Sequence, residues 1–293
     1  MFLIKFDNIL KLFLNRKFNY IFVKEFKFIL IEVVMKPEIG FMGQLSTKDI
    51  LDDLDFAIKN EFECFEIALD WKQNFNLNPK KIKKIRDISI NNAISLIIHT
   101  PYYLPTSTML PEIKKGVIEN VKRAINLADN VESNKLTIHP GFQEMPSPAI
   151  KYCYDALIET LQEIVEVGKK YNVNICLENF DKPALCSELK DYLYVLNSVK
   201  GLMATLDVGH VNTTSTKLSV YFKETKHFIM NLHIHDNGGK RDEHKCLGEG
   251  TINFKEFFLE CKKARYFGPF ILEIFPYENI LEGKKRFLDF WEY

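Results

Sequence analysis

From residue 37 onward the chain alternates short apolar runs with longer stretches of helical period, and it completes this unit eight times. The predicted strands are Glu38 to Phe41, Cys64 to Ala68, Ser95 to Ile98, Lys135 to Ile138, Asn174 to Leu177, Met203 to Leu206, Ile229 to Leu232 and Phe270 to Leu272. The first predicted helix opens at Ser46 or Thr47 and carries Ile50, Leu51, Leu54, Ala57 and Ile58 on one face. Strands this apolar need cover on both faces, which implies a parallel sheet sheathed in helices. Eight such units in about 259 residues match the ~250 of a closed (β/α)8 TIM barrel, so a single barrel domain over residues 35–293 is favoured over an open doubly wound sheet. No G-x-G-x-x-G follows the first strand, and no nucleotide cofactor is expected.

Residues 1–34 stand outside this rhythm. They are rich in Phe, Ile and Lys, and their charges interrupt every apolar run well short of the ~18 residues of a membrane span. We expect an N-terminal extension, with Met35 as an alternative start. A formal net charge of zero gives no support to a broad basic cradle, and the run Lys80 to Arg86 reads as the solvated face of a helix. Six scattered cysteines without a C-x-x-C pair suggest reduced thiols and a cytoplasmic protein with no membrane partner. Cys246 is either packing or a soft ligand.

In a barrel of this kind chemistry belongs at the carboxyl ends of the strands. His99, His139, Glu178, Asp207, His233 and Glu273 each follow the apolar run of the third to the eighth predicted strand, and His210 lies just beyond Asp207. The stretch Asn231 to Gly250, NLHIHDNGGKRDEHKCLGEG, adds His235, Asp236, Asp242 and His244. Of the seven histidines, only His227 falls off this face. One such residue would be a helix cap or a structural hydrogen bond. So many carboxylates gathered in one mouth would repel one another unless cations sat among them, and imidazole with carboxylate is the donor set of zinc and its neighbours. Glu66 and Asp70, near the second strand, either line the pocket or are solvated.

The segments HTPY, HPG, LEN, LDVGH, HIHD, DEH with LGEG, and ILEI occur in the order and approximate spacing of the xylose-isomerase-like barrel superfamily, and they resemble most closely the AP endonuclease 2 (endonuclease IV) family. The resemblance implies a metal-dependent hydrolase of DNA repair that cleaves DNA at abasic sites by a metal-bound hydroxide, with two or three zinc ions. It implies nine ligands, His99, His139, Glu178, Asp207, His210, His233, Asp242, His244 and Glu273, with Glu178 bridging. Tyr102 and His235 are expected at the substrate. Sugar and sugar-phosphate isomerases or epimerases of the same superfamily imply an alternative. In it Glu178, Asp207, His233 and Glu273 hold one Mn, Mg or Zn ion, and Glu178 and Glu273 exchange a proton with the sugar. The first strand, EIGFMGQLS, and the loop ALDWKQNFN depart from the endonuclease pattern, and His235 stands where endonucleases usually have Asn.

Overall fold

The computed structural model describes residues 19–22, 31–34, 36–43, 49–70, 74, 76–181 and 184–292. Two units are distinguished, residues 1–37 and 38–293. In the first, strands β1 (Asn19–Phe22) and β2 (Ile31–Val34) pair antiparallel. The rest of the expected extension, Met35 included, lies outside the described residues.

The second unit is a closed barrel of eight parallel strands. These are β3 (Ile39–Met42), β4 (Cys64–Ala68), β5 (Ser95–His99), β6 (Lys135–Ile138), β7 (Asn174–Glu178), β8 (Met203–Asp207), β9 (Ile229–Ile234) and β10 (Phe270–Leu272). Phe270 pairs with Ile39 and closes the ring. The covering helices are α1 (Ile50–Lys59), α2 (Pro79–Asn91), α3 (Pro111–Asn130), α4 (Ile150–Lys170), α5 (Leu189–Ser198), α7 (Leu218–Thr225), α8 (Phe254–Lys263) and α9 (Ile280–Glu292). A five-residue helix that the sequence reading did not anticipate, α6 (Val208–Asn212), follows β8 directly because the Asp207 side chain caps it. Ser46 and Thr47 lie outside the described residues. The described helix begins at Ile50, and Asp49 accepts from the amide of Leu51 as its N-cap.

Alternate residues of a strand point to opposite faces, and here that rule builds two cores. Phe65, Ile67, Leu96, Ile98, Ile175 and Leu177 belong to the large cluster shared with the helices. Cys64, Ile97 and Ile271 form a separate small cluster with Met42 beside it, inside the barrel. Two residues further along those strands stand Glu66, His99 and Glu273, all buried. The barrel is therefore apolar at its floor and polar toward the carboxyl ends of its strands.

Candidate metal centre

A polar layer spans the barrel between floor and mouth. Glu66, fully buried, accepts from Thr137 Oγ1 at 2.9 Å and from Asn231 Nδ2 at 3.1 Å, and Thr137 meets Thr205 at 3.0 Å. The other task of Glu66 is to accept from His233 Nε2 at 2.9 Å. The solvated reading of Glu66 is corrected: it holds the ring of an expected ligand. Burial pushes its carboxyl up, but His233 and His99 outweigh that and keep it below its ordinary value. Asp70 stays at the rim, where its carboxylate accepts the amide of Tyr102 at 3.0 Å.

Above this layer the nine expected ligands meet. His99 Nε2 and His139 Nε2 lie 3.2 and 2.9 Å from Glu178 Oε2, and 3.3 Å from each other. On the other side of the same carboxylate, His233 Nδ1 is 3.2 Å from Glu178 Oε1, 2.9 Å from Glu273 Oε1 and 3.9 Å from Asp207 Oδ2. In the third group Asp242 Oδ2 lies 3.4 Å from His210 Nε2 and 2.7 Å from His244 Nε2. Within each of the sets His99/His139/Glu178, Glu178/Asp207/His233 and His210/His235/Asp242/His244, one donor atom per residue lies within 4.8 Å of all the others.

The ring orientations are set by backbone carbonyls, which can only accept. His99 Nδ1 donates to Thr100 O at 2.6 Å, His210 Nδ1 to Asn179 O at 2.9 Å and His244 Nδ1 to Glu273 O at 2.8 Å. Each Nε2 is thereby turned to the centre, the arrangement that metal-binding histidines require. Asn179, whose role the sequence reading missed, also joins β7 to β8 by accepting the Asp207 amide at 2.8 Å and donating to Asp207 O at 3.0 Å. In the metal-free protein burial would lower the histidines. Glu178 instead pushes His99 up to about 9, and Asp242 pushes His244 up to about 9. Burial raises Glu178 and Asp242, but the facing imidazoles, His139 and His233 for Glu178 and His210 and His244 for Asp242, hold both below the carboxylate range.

The donor set fits divalent cations on a further ground. Asp242 Oδ1 and His235 Nδ1 are buried without a hydrogen-bond partner. Such atoms are costly unless something positive meets them. Of the two expected substrate contacts, Tyr102 is 47% exposed at the rim, 6.4 Å in ring separation from His139. His235 is fully buried and turns Nε2 to Asp207 at 3.0 Å. Cys246 is buried outside all of these sets, and His227 is exposed and remote from them.

The loop after β9 is braced by Asp236, which the sequence reading grouped with the candidate ligands. Its carboxylate instead accepts the amides of Asn237, Gly248, Gly250 and Ile252 at 2.9, 2.9, 2.9 and 3.2 Å. A Cβ at Gly250 would lie 2.3 Å from Asp236 Oδ1, so the close approach demands glycine. His244 adopts the left-handed region at φ 48°, a local cost of about 1 kcal/mol that the loop's bonds must hold. Asp236→Ala is expected to lower stability by about 3 kcal/mol or more, since four amides lose a charged acceptor. Urea denaturation of the metal-free protein checks it, and a loss below about 1 kcal/mol would refute the brace.

Comparison with known proteins agrees with the barrel fold. The family model described as xylose isomerase-like TIM barrel matches residues 54–290. An uncharacterised protein of Methanocaldococcus jannaschii is 26% identical over 84% of this chain and 86% of its own length. A probable endonuclease 4 of Mycoplasmopsis pulmonis is 27% identical over 70% of this chain and 80% of its own. Among solved structures, a D-tagatose 3-epimerase-like protein superposes with a TM-score of 0.80 at 25% identity, covering 87% of this chain and 97% of that one. Among the described residues no helix is long and apolar enough to cross a membrane. The strand ends and the fold they close thus converge on one assignment, and the chain belongs to the xylose isomerase-like TIM barrel family.

Proposed function

We propose that the chain is a zinc-dependent phosphodiesterase of the endonuclease 4 type, acting on DNA at abasic sites. One observation carries the reading. Glu178 is common to a His99/His139 group and an Asp207/His233 group, Asp242 stands with His210 and His244, and this is more donors than a single ion takes, so that in an isomerase His99, His139, His210 and His244 would serve the substrate instead. His99, His139 and Glu178 would hold one ion, Glu178, Asp207, His233 and Glu273 a second, and His210, Asp242 and His244 a third. When bound, such ions supply an activated water and positive charge for the phosphoryl oxygens. The protein's part is orientation. Glu66 and the carbonyls of Thr100, Asn179 and Glu273 fix the rings before substrate arrives. Tyr102, Phe142 and Phe275, all exposed, offer flat faces to a base or sugar at the mouth.

A second reading, a sugar epimerase, is favoured by the D-tagatose 3-epimerase-like neighbour and by Glu178 and Glu273 both reaching His233 Nδ1. In it the two carboxylates flank the substrate and move a proton. Metal content by plasma mass spectrometry, with assays on an abasic-site duplex and on a ketose panel, separates the readings. Two or three zinc ions with strand nicking are expected. One ion per chain and epimerisation without nicking would overturn the proposal.

A further inference from the structure

We propose that His235 is a positioning residue with two separable tasks: its Nε2–H fixes the Asp207 carboxylate of the second metal position, and its ring face backs the His244 imidazole of the third. The proposal rests on the metal-centre reading above and deepens it, assigning this ring to neither an ion nor the substrate.

The first task follows from the hydrogen bonds. His235 Nε2 lies 3.1 and 3.0 Å from the two oxygens of Asp207, and a carboxylate can only accept, so this nitrogen carries the proton. The amide of His210 donates to Asp207 Oδ1 at 2.6 Å. These donors set the orientation of the carboxylate, whose Oδ2 stands 3.9 Å from His233 Nδ1 in the second position. Metal-binding carboxylates depend on such hydrogen bonds for their aim.

The second task follows from the rings. The His235 and His244 planes lie at 14° with centroids 4.0 Å apart, a parallel stack. Nitrogen lone pairs lie in the ring plane, so two stacked rings aim theirs side by side, and His235 is excluded from the ion that His244 would hold. Stacking instead fixes the plane of His244. That residue spends Nδ1 on Glu273 O at 2.8 Å and has Phe275 against it at 5.0 Å, which leaves Nε2, 2.7 Å from Asp242 Oδ2. His235 is itself wedged in place. It is fully buried, which keeps it from substrate, and a Cβ on Gly209 would lie 1.9 Å from its Cε1, so the start of α6 is pressed against it.

Two substitutions divide the tasks. His235→Phe keeps a ring and loses the donor, whereas His235→Gln brings an amide N–H₂ near the place of Nε2 and has no ring. The metal-free proteins are titrated with cobalt, whose visible bands follow each ion, and His233→Ala and Asp242→Asn are the references that identify the bands of the second and third ions. His235→Phe should weaken the second ion by about 10- to 100-fold, the usual cost of losing a ligand's hydrogen-bond support, and leave the third within about twofold. His235→Gln should restore the second ion and weaken the third by about three- to tenfold, the worth of one ring pair. Gly209→Ala, which displaces the ring without touching a donor, should weaken both. The glutamine and alanine arms decide the question even where the phenylalanine chain does not fold. Unchanged affinity for both ions in the variants would overturn the proposal. Equal weakening of both ions by His235→Phe and by His235→Gln would overturn it too, since that is the mark of general support rather than of two tasks. A wild type that takes up no cobalt would sink the metal-centre reading, and the proposal with it.

Discussion

Glu178→Gln is expected to reduce cleavage of an abasic-site duplex by about a thousandfold or more and to remove more than one metal ion per chain. Glu178 is nearly fully buried at 1% exposure, and its two oxygens serve different neighbours. Oε2 faces His99 and His139, and Oε1 faces His233 at 3.2 Å and His210 Nδ1 at 3.5 Å. An amide of the same shape presents one neutral oxygen and an N–H₂ group, so one of the two positions meets a donor where it needs an acceptor. Loss of a single preorganised electrostatic contact costs about 10²–10³ in rate, and under the proposed function the change would also strip charge from a site that two ions would share. Single-turnover kinetics and plasma mass spectrometry read the two effects separately. A variant that kept its metal and cut within tenfold of the wild type would contradict the bridging role.

The second large effect is on metal uptake as pH changes. In the metal-free protein His99 and His244 are pushed up to about 9 by Glu178 and Asp242, whereas an unperturbed imidazole titrates near 6.5. Both histidines therefore carry protons at neutral pH, and an incoming cation must expel them. His210 and His233 are raised as well, in spite of burial, by Asp207 with Asp242 and by Glu273 with Glu178. Glu178 and Asp242 are held low and release nothing. Apparent affinity for zinc should thus rise by about tenfold per pH unit at the position of His99 and likewise at the position of His244, from these two rings alone, levelling off near pH 9. Calorimetric titration at pH 7.5 in buffers of different ionisation enthalpy should register release of at least about two protons per chain. For folding of the metal-free form the sign is opposite. A histidine with a raised folded pKa contributes stability that is complete below about 6.5 and is lost as pH climbs through about 9. Without zinc the protein should weaken toward alkaline pH, and with zinc that trend should disappear. Affinity flat between pH 6.5 and 9 would show that the rings are neutral before metal arrives.

Six of the nine candidate ligands are legible in the sequence because each follows an apolar run and a barrel gathers strand ends at one mouth, whereas His210, Asp242 and His244 lie in the segments beyond and stand out only as imidazole and carboxylate crowded after a strand. What was missed lies one layer deeper or depends on loop conformation. Thr137, Thr205 and Asn231 occupy the same inward face as the residues two positions on, but flanking apolar side chains make them look like ordinary strand polarity, and they leave Glu66 open between lining the pocket and facing solvent. Asp236 sits among ligand-type residues, yet its carboxylate is taken up by four backbone amides whose approach depends on the path of residues 237–252, which composition does not reveal. The helix Val208–Asn212 is too short to carry a period, and it was invisible even though it aims His210.

Gly209 has a consequence that reaches past its own position. Its missing side chain is the space that the imidazole of His235 fills, so any larger residue there would have to push that ring aside. The glycine in LDVGH and the histidine in HIHD thus occupy one shared volume, and a change at either position is felt at the other.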